Sequence, residues 1–393
     1  MQAYSGQNRS YTARVLSSTF ARRGARLGAW WIAIAVLGAA AAPLLANSHP
    51  LLWQVDGEVS SPALEHLTLV DSVLLIATLG FVLGAVVRKR LVAAVKFTLV
   101  FAALGAILAA ASGPPPALTV YEQYRELDKA GRVDWIVTAP IPYSPKDYLR
   151  DYGDTGLEQP LSARHRIHWM GTDQNGADVA SRMLHASRIA LAIGLIATGI
   201  AMVIGVVIGA LMGYFAGIVD LVGMRLVEIF EAVPTLFLLL TFVAFFGRSI
   251  YLLMVIIGIT SWTGFARFVR AECLSLRERE FVQAAVVSGL SVPKILFRHL
   301  LPNAMGPVLV ATSFGVASAI LAEAVLSFLG LGLVDDPSWG QMLNQAVQSS
   351  TFNWWMALFP GGAIFATVLA YNLMGEAMRD AVDPKLSNHQ GAL

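Results

Sequence analysis

Residues 271–303 read AECLSLREREFVQAAVVSGLSVPKILFRHLLPN, and they interrupt two long apolar runs. The segment reads as helix, turn, helix. The first helix runs through Glu280, Phe281, Gln283, Ala284 and Ala285 and stops at Gly289, because glycine takes the left-handed conformation that ends a helix at little cost. Ser291 is placed to cap the second helix, and Pro293 falls in its first turn, where a missing N–H costs nothing. His299 and Pro302 close the segment, and Pro302 marks the return to apolar sequence. A helical turn held between membrane-length runs predicts an all-α membrane protein.

Composition agrees. Of 393 residues 56% are hydrophobic and 14% charged, against roughly 25% charged in soluble domains. The mean hydropathy is +0.62. A net charge of +2, with Lys and Arg confined to loops, argues against a nucleic-acid partner. The single cysteine, Cys273, excludes an intramolecular disulfide. The first apolar run begins near Ala29 behind an Arg-bearing leader and reads as a retained membrane helix rather than a cleaved signal.

A membrane helix needs roughly 20 apolar residues. By that measure eight spans are expected, about 29–46, 67–87, 91–112, 189–214, 225–247, 250–269, 304–331 and 354–376. Basic residues set the orientation. The leader (Arg9, Arg14, Arg22, Arg23, Arg26), the turn at Arg88, Lys89, Arg90 and Lys96, the 265–300 segment and the tail (Arg379, Lys385) fall on one side, the cytoplasm. Both termini are therefore expected inside. Residues 47–66 and 332–353 hold no Lys or Arg and fall outside. Segment 113–187 is also expected outside despite Arg125, Lys129, Arg132, Lys146, Arg150, Arg164, Arg166 and Arg182, because long loops translocate largely regardless of charge. It opens on Gly113-Pro114-Pro115-Pro116, continues with a short polar helix over 120–130, and then turns extended at Pro140, Pro142, Pro145 and Pro160. The expected division is 1–112 (leader and three spans), 113–187 (extracytoplasmic), 188–386 (the main transmembrane portion) and a tail, 387–393.

The spacing within 271–303 resembles the cytoplasmic loop of binding-protein-dependent ABC permeases, Glu-Ala-Ala-x3-Gly-x9-Ile-x-Leu-Pro. Here it reads Gln283-Ala284-Ala285, Gly289, then His299-x-Leu301-Pro302. Gln283 replaces the Glu. His299 replaces the Ile, as in the peptide-permease branch with its H-x-L-P-N. Further matches follow that branch. They are Gly171-Thr172-Asp173 through Arg182, with Ala177 for the usual Arg; Leu321-Ala322-Glu323-Ala324 and Leu326 to Gly332; Pro337-x-Trp339-Gly340; and Arg379-Asp380-x3-Pro384. The chain is identified as a C-type permease of the dipeptide/oligopeptide (peptide/nickel) class. The likeness is dense over 160–386, and the pair 67–112 looks like an insertion.

The resemblance implies a MetI-like permease core with extra N-terminal helices. It also implies a loop, marked by Glu280, Gln283, Ala284, Ala285, Gly289, His299 and Pro302, that docks on an ATPase. Partners would be a second homologous permease, two ABC ATPases and an extracytoplasmic substrate-binding protein, in membrane lipid at the bacterial inner membrane. ATP and Mg would be bound by the ATPases, with no cofactor in this chain. ATP would shift the populations of two access states.

Asp173, Asn175 and Asp178 do not follow the EF-hand order, since Gly176 comes too early, so a capped turn is expected and no metal. His165 and His168 read as solvated loop histidines. Glu323, inside a span, has two open readings: a pathway or gate residue, or a capped or water-exposed carboxylate near Gly330 and Gly332. Arg225, Glu228 and Glu231 share a helical face and predict an ion-pair stripe or partner contact. Trp339, Trp354 and Trp355 suggest an interfacial belt. No Walker A, G-x-S-x-G or H-E-x-x-H pattern is present, so neither ATP binding nor catalysis is expected of this chain. The alternative is an ion-gradient-driven secondary transporter, which calls for paired midplane acids in two repeated halves. The cargo stays open among dipeptides, longer peptides, peptide-like antibiotics and nickel chelates.

Overall fold

The computed structural model describes residue 15 and residues 17–88, 91–113, 115–116, 120–149, 156–161, 167–333 and 336–382. Arg9, Arg14, Lys89, Arg90, Arg150, Arg164, Arg166, Lys385, His165, Pro384 and the tail 387–393 lie outside the described residues.

In chain order, α1 (Arg23–Leu45) is followed by β1 (Leu52–Val55), β2 (Glu58–Ser60), the single turn α2 (Pro62–Glu65), α3 (Leu69–Arg88) and α4 (Leu91–Ser112). Then come α5 (Glu122–Lys129), β3 (Val133–Val137), α6 (Val179–Phe215), α7 (Gly217–Ala232), α8 (Thr235–Phe246), α9 (Ile250–Thr260) and α10 (Trp262–Arg277). The chain continues through α11 (Glu280–Val287), α12 (Val292–Lys294), a π-helical turn (Ile295–Leu300), α13 (Leu301–Phe328), α14 (Trp339–Gln348) and α15 (Trp354–Val382).

Among the described residues six helical segments are long and apolar enough to cross a membrane, Arg23–Leu45, Leu69–Val87, Val179–Phe215, Ile250–Arg277, Val292–Phe328 and Trp354–Val382. The α7–α8 pair makes a seventh if taken as one broken span, and Ala94–Ala110 is a shorter apolar helix. The set is compatible with about eight spans. The span expected over 225–247 is a broken one: its two helices, α7 and α8, meet at a 77° bend. Pro234 disfavours helical backbone at the residue before it, and Val233 is extended (φ −90°, ψ 120°).

The chain divides into two compact units, Met1–Ala33 with Ala190–Leu333 and Gly362–Leu393, and Ile34–Ile189 with Val334–Gly361.

The first unit is organised on close helix approach. Gly205, Gly209 and Gly213 recur at four-residue spacing and so share one face of α6. An added Cβ at Gly205 would lie 2.5 Å from the Phe265 Cβ, at Gly209 2.5 Å from the Ala266 carbonyl oxygen, and at Gly213 2.5 Å from the Cys273 Cβ. The main chains of α6 and α10 therefore touch, as small residues permit between membrane helices. Around this contact Met212, Val227, Trp262, Val269, Ile295, Leu300 and Val308 form one buried cluster. Near the chain ends α1 and α15 pack as closely. A Cβ at Gly28 would meet the Ala370 carbonyl at 2.6 Å, the Trp31 indole donates to the Thr367 hydroxyl (3.0 Å), and Arg22 pairs with Asp380.

The second unit holds a small sheet that the all-α reading did not include. β1 lies between β2 and β3, antiparallel to both, with Trp53 opposite Ser60 on one side and Ile136 on the other. Asp56 and Gly57 make the β1–β2 turn with positive φ (52° and 85°), as a two-residue hairpin requires. The polar helix expected over 120–130 is α5. Behind the sheet His49 stacks on His66 (centroids 3.9 Å) and meets Tyr124 edge-on (5.1 Å), and Tyr124 meets Trp53 (5.1 Å). The same unit carries the α3–α4 hairpin. A Cβ at Gly80 would lie 2.6 Å from the Phe101 Cβ, while Leu79, Val86, Leu99 and Ile107 point outward and exposed.

Candidate functional site

The segment between the two spans folds as helix, turn, helix. α11 covers Glu280–Val287, and its end is closed by the Leu290 N–H on the Ala285 carbonyl (3.2 Å) with Gly289 left-handed at φ 73°. Ser291 stands at the N-cap of α12 with extended backbone but makes no side-chain cap bond, and Pro293 lies in the first turn. The chain then passes through the π turn, which contains His299, into α13 with Pro302 in its first turn.

This segment has an inner and an outer face. Val282, Ala285, Ile295, Leu296 and Leu300 are buried in the helix core. Gln283, Ala284 and Pro302 are exposed, and so are four large apolar side chains: Phe281 (43%), Val286 (51%), Val287 (88%) and Phe297 (69%). The two alanines thus do different things: Ala285 seats the helix on its own core, and Ala284 leaves the outer face low. Gln283 donates to the Glu278 carbonyl (3.3 Å), and Asn303 donates to the His299 carbonyl (2.6 Å), so both polar side chains brace the turns. Glu280 is exposed at the start of α11.

The ion-pair stripe is present. Arg225 pairs with Glu228 on α7, and Glu231 reaches Arg267 of α10. A third pair was not read from sequence: Asp220 and Arg270 join the same two helices, with Arg270 Nη2 2.6 Å from Asp220 Oδ2. Glu323 is not water-exposed. It is 1% exposed within α13 and accepts from the Ser327 hydroxyl one turn later (2.6 Å).

The 171–182 stretch is a capped turn, as expected. Asp173 accepts from the Asn175 and Ala177 N–H groups (both 2.9 Å) and pairs with the buried Arg182, while Asp178 accepts from the Ser181 N–H (2.7 Å). No group of three or more metal-ligand side chains occurs among the described residues. Three expectations are corrected here. His168 is buried, not solvated: its Nδ1 lies 2.8 Å from Asp178, and its ring stacks on Tyr143 (4.4 Å). Trp339 and Trp355 are buried too. Their indoles donate to the Met183 carbonyl (3.3 Å) and the Thr172 carbonyl (3.0 Å), which leaves only Trp354 exposed in the manner of a belt.

The family described as "Binding-protein-dependent transport system inner membrane component" matches residues 205–388, which contain the whole segment above. A dipeptide transport system permease protein, DppC, of Alkalihalophilus pseudofirmus is 36% identical over 63% of this chain and 81% of its own length. An oligopeptide transport system permease protein, OppC, of Escherichia coli K12 is 43% identical over 60% of this chain and 78% of its own. Among solved structures, an inward-facing MetNI methionine ABC transporter is similar at 18% identity, covering 51% of this chain and 95% of that one with a TM-score of 0.42.

Proposed function

This chain belongs to the family of binding-protein-dependent transport-system inner-membrane components, and from that premise we propose that it is a permease subunit of an ATP-driven importer of peptides. It forms half of a translocation path, with a second homologous permease as the other half. Two ABC ATPases bind from the cytoplasm, and an extracytoplasmic binding protein delivers cargo. Both termini lie in the cytoplasm.

The observation that carries this reading is the segment 271–303. An amphipathic knob on a fixed turn, apolar outward and core-anchored inward, suits a surface that seats in a partner's cleft. Glu280, Gln283, Ala284, Gly289, His299 and Pro302 shape its outer face and turns. Ala285 ties it to the bundle. Because the π turn runs straight into α13, a push on the knob moves a membrane helix as a rigid element. Glu323, buried on that same helix, is a gate or pathway group under this reading. ATP and Mg belong to the ATPases, and this chain does no chemistry.

Peptide uptake into right-side-out vesicles tests the energy source. Uptake abolished by ATP depletion and retained with an uncoupler is expected. Uptake that survives ATP depletion and stops with the uncoupler would return the reading to a gradient-driven carrier.

A further inference from the structure

β3 is an edge strand of the small sheet, and an edge leaves main-chain groups unpaired. The chain just beyond it stays open in the same way. Ala139 and Ile141 each precede a proline, which disfavours helical backbone there. Ile141 is tied down, donating to the Leu45 carbonyl (2.9 Å) and accepting from the Asn47 N–H (3.1 Å). Thr138 is not. It is exposed, and among the described residues its main-chain N–H and carbonyl have no hydrogen-bond partner.

Ile136, Thr138 and Pro140 form one wall of a groove of about 520 Å³. α5 forms another, through Tyr124, Arg125, Asp128 and Lys129, which the helical repeat brings to one side. Tyr143 is buried against the groove, and Trp169 beside it is 60% exposed. The polar wall is held in place from behind. Asp147, 1% exposed, accepts from the Ser48 hydroxyl (2.5 Å) and pairs with Arg125, and both of those partners line the groove. Asp128 and Lys129 are exposed and form no ion pair among the described residues, so both charges are available to a ligand.

We propose that this groove binds a short linear peptide, laid extended between α5 and residues 136–140, with its carboxylate on Lys129 and its main chain on Thr138. The inference deepens the importer reading and rests on it for one point, that the peptide is cargo. The groove lies wholly outside residues 205–388, so the family match does not assign it. Its volume falls within the roughly 300–1,000 Å³ of small-ligand sites. A docked protein would cover about 800 Å² of each partner, which calls for a broad face rather than a cleft beside an eight-residue helix. A peptide amide supplies the acceptor and the donor that the Thr138 N–H and carbonyl require, and a free peptide carries both charges that face Asp128 and Lys129. A lipid tail offers nothing to any of these groups.

The test is equilibrium dialysis of labelled trialanine against the complete complex in detergent, without binding protein. Saturable binding is expected. Lys129→Gln should weaken it roughly two- to fivefold, as the loss of one exposed ion pair. Thr138→Trp fills the groove from an exposed position and should abolish it. Trisarcosine is an isomer of trialanine with each methyl moved from carbon to nitrogen; it keeps both charged ends, lacks the amide N–H groups, and should compete about tenfold less well. Trialanine bound equally by wild type, Lys129→Gln and Thr138→Trp, or not bound saturably, would overturn the groove as a peptide site and leave the importer reading standing. Binding protein retained by wild type and lost in Thr138→Trp, with no trialanine bound, would also overturn it and make the groove a protein dock. Groove-dependent trialanine binding in a wild-type complex that fails to take up peptide with ATP and binding protein would support the site and remove the importer reading.

Discussion

Two glycine-dependent helix contacts in this molecule have different consequences. On α6, Gly205, Gly209 and Gly213 hold α10 at main-chain distance, and the flanking side chains continue into a cluster that includes the base of the 271–303 knob. In the α3–α4 hairpin, Gly80 and Gly105 bring two helices equally close, yet most of their remaining surface is exposed and apolar. Close approach between membrane helices needs only small residues. What makes a contact part of a machine is whether the helices behind it carry a further core. The hairpin has the form of an apolar pair solvated by lipid, and α6–α10 has the form of a frame.

That contrast breaks most readily at the frame. Gly209→Leu must displace the Ala266 carbonyl, a backbone atom that cannot swing aside. A loss above about 3 kcal/mol is expected, seen as failure to recover a monodisperse complex in detergent. Gly80→Leu meets the Phe101 Cβ at 2.6 Å and the Phe97 carbonyl oxygen at 2.9 Å, atoms that cannot swing aside either; it should splay the hairpin and lower its protease resistance, while the complex stays recoverable because no further core is built on that contact.

The next effect is smaller and lies at the hairpin's own attachment. Asp71 accepts from Thr68 (2.7 Å) and pairs with Arg188 of α6 (2.6 Å). Asp71→Ala strands a largely buried guanidinium, and about 1–3 kcal/mol of stability should go. A thermal melt of the purified complex reads it, and Asp71→Asn should recover part of the loss.

The smallest effect concerns the sheet. Burial first, and the neighbouring His66 second, push the His49 imidazole from its ordinary value near 6.5 down to about 4. A histidine held neutral in the folded state stabilises it above pH 6.5, and that contribution is lost as pH falls from 6.5 towards 4. Hydrogen exchange in 51–60 and 133–137 should quicken over this window. His49→Phe keeps the ring stack and should flatten the dependence.

The spans were legible because membrane length needs only a count of apolar residues, and the turn at Gly289 because left-handed backbone favours glycine. Other features depended on distant partners. Nothing near Trp355 announces that its indole will find the Thr172 carbonyl, nor near His168 that Asp178 and Tyr143 will bury it. The sheet was missed because β3 joins β1 from far along the chain, although Asp56-Gly57 between alternating residues was a hairpin signal in plain view. The Gly205, Gly209, Gly213 spacing was equally visible and went unread. A hydropathy window also cannot see a bend, so the span over 225–247 carries no mark of the 77° break between α7 and α8 in its hydropathy.

The central claim is that the outer face of the 271–303 knob is where an ATPase seats. The most direct measurement is co-purification of the tagged chain from its own membranes in mild detergent, with stoichiometric partners identified by mass spectrometry. Wild type and Ala284→Arg would be compared, because Ala284 is exposed and its replacement spares the core that Ala285 fills. The account predicts that wild type brings down a second permease and Walker-A ATPases, and that Ala284→Arg keeps the permease and loses the ATPases. ATPases retained by Ala284→Arg at the wild-type ratio, or a wild-type chain recovered without any, would contradict it.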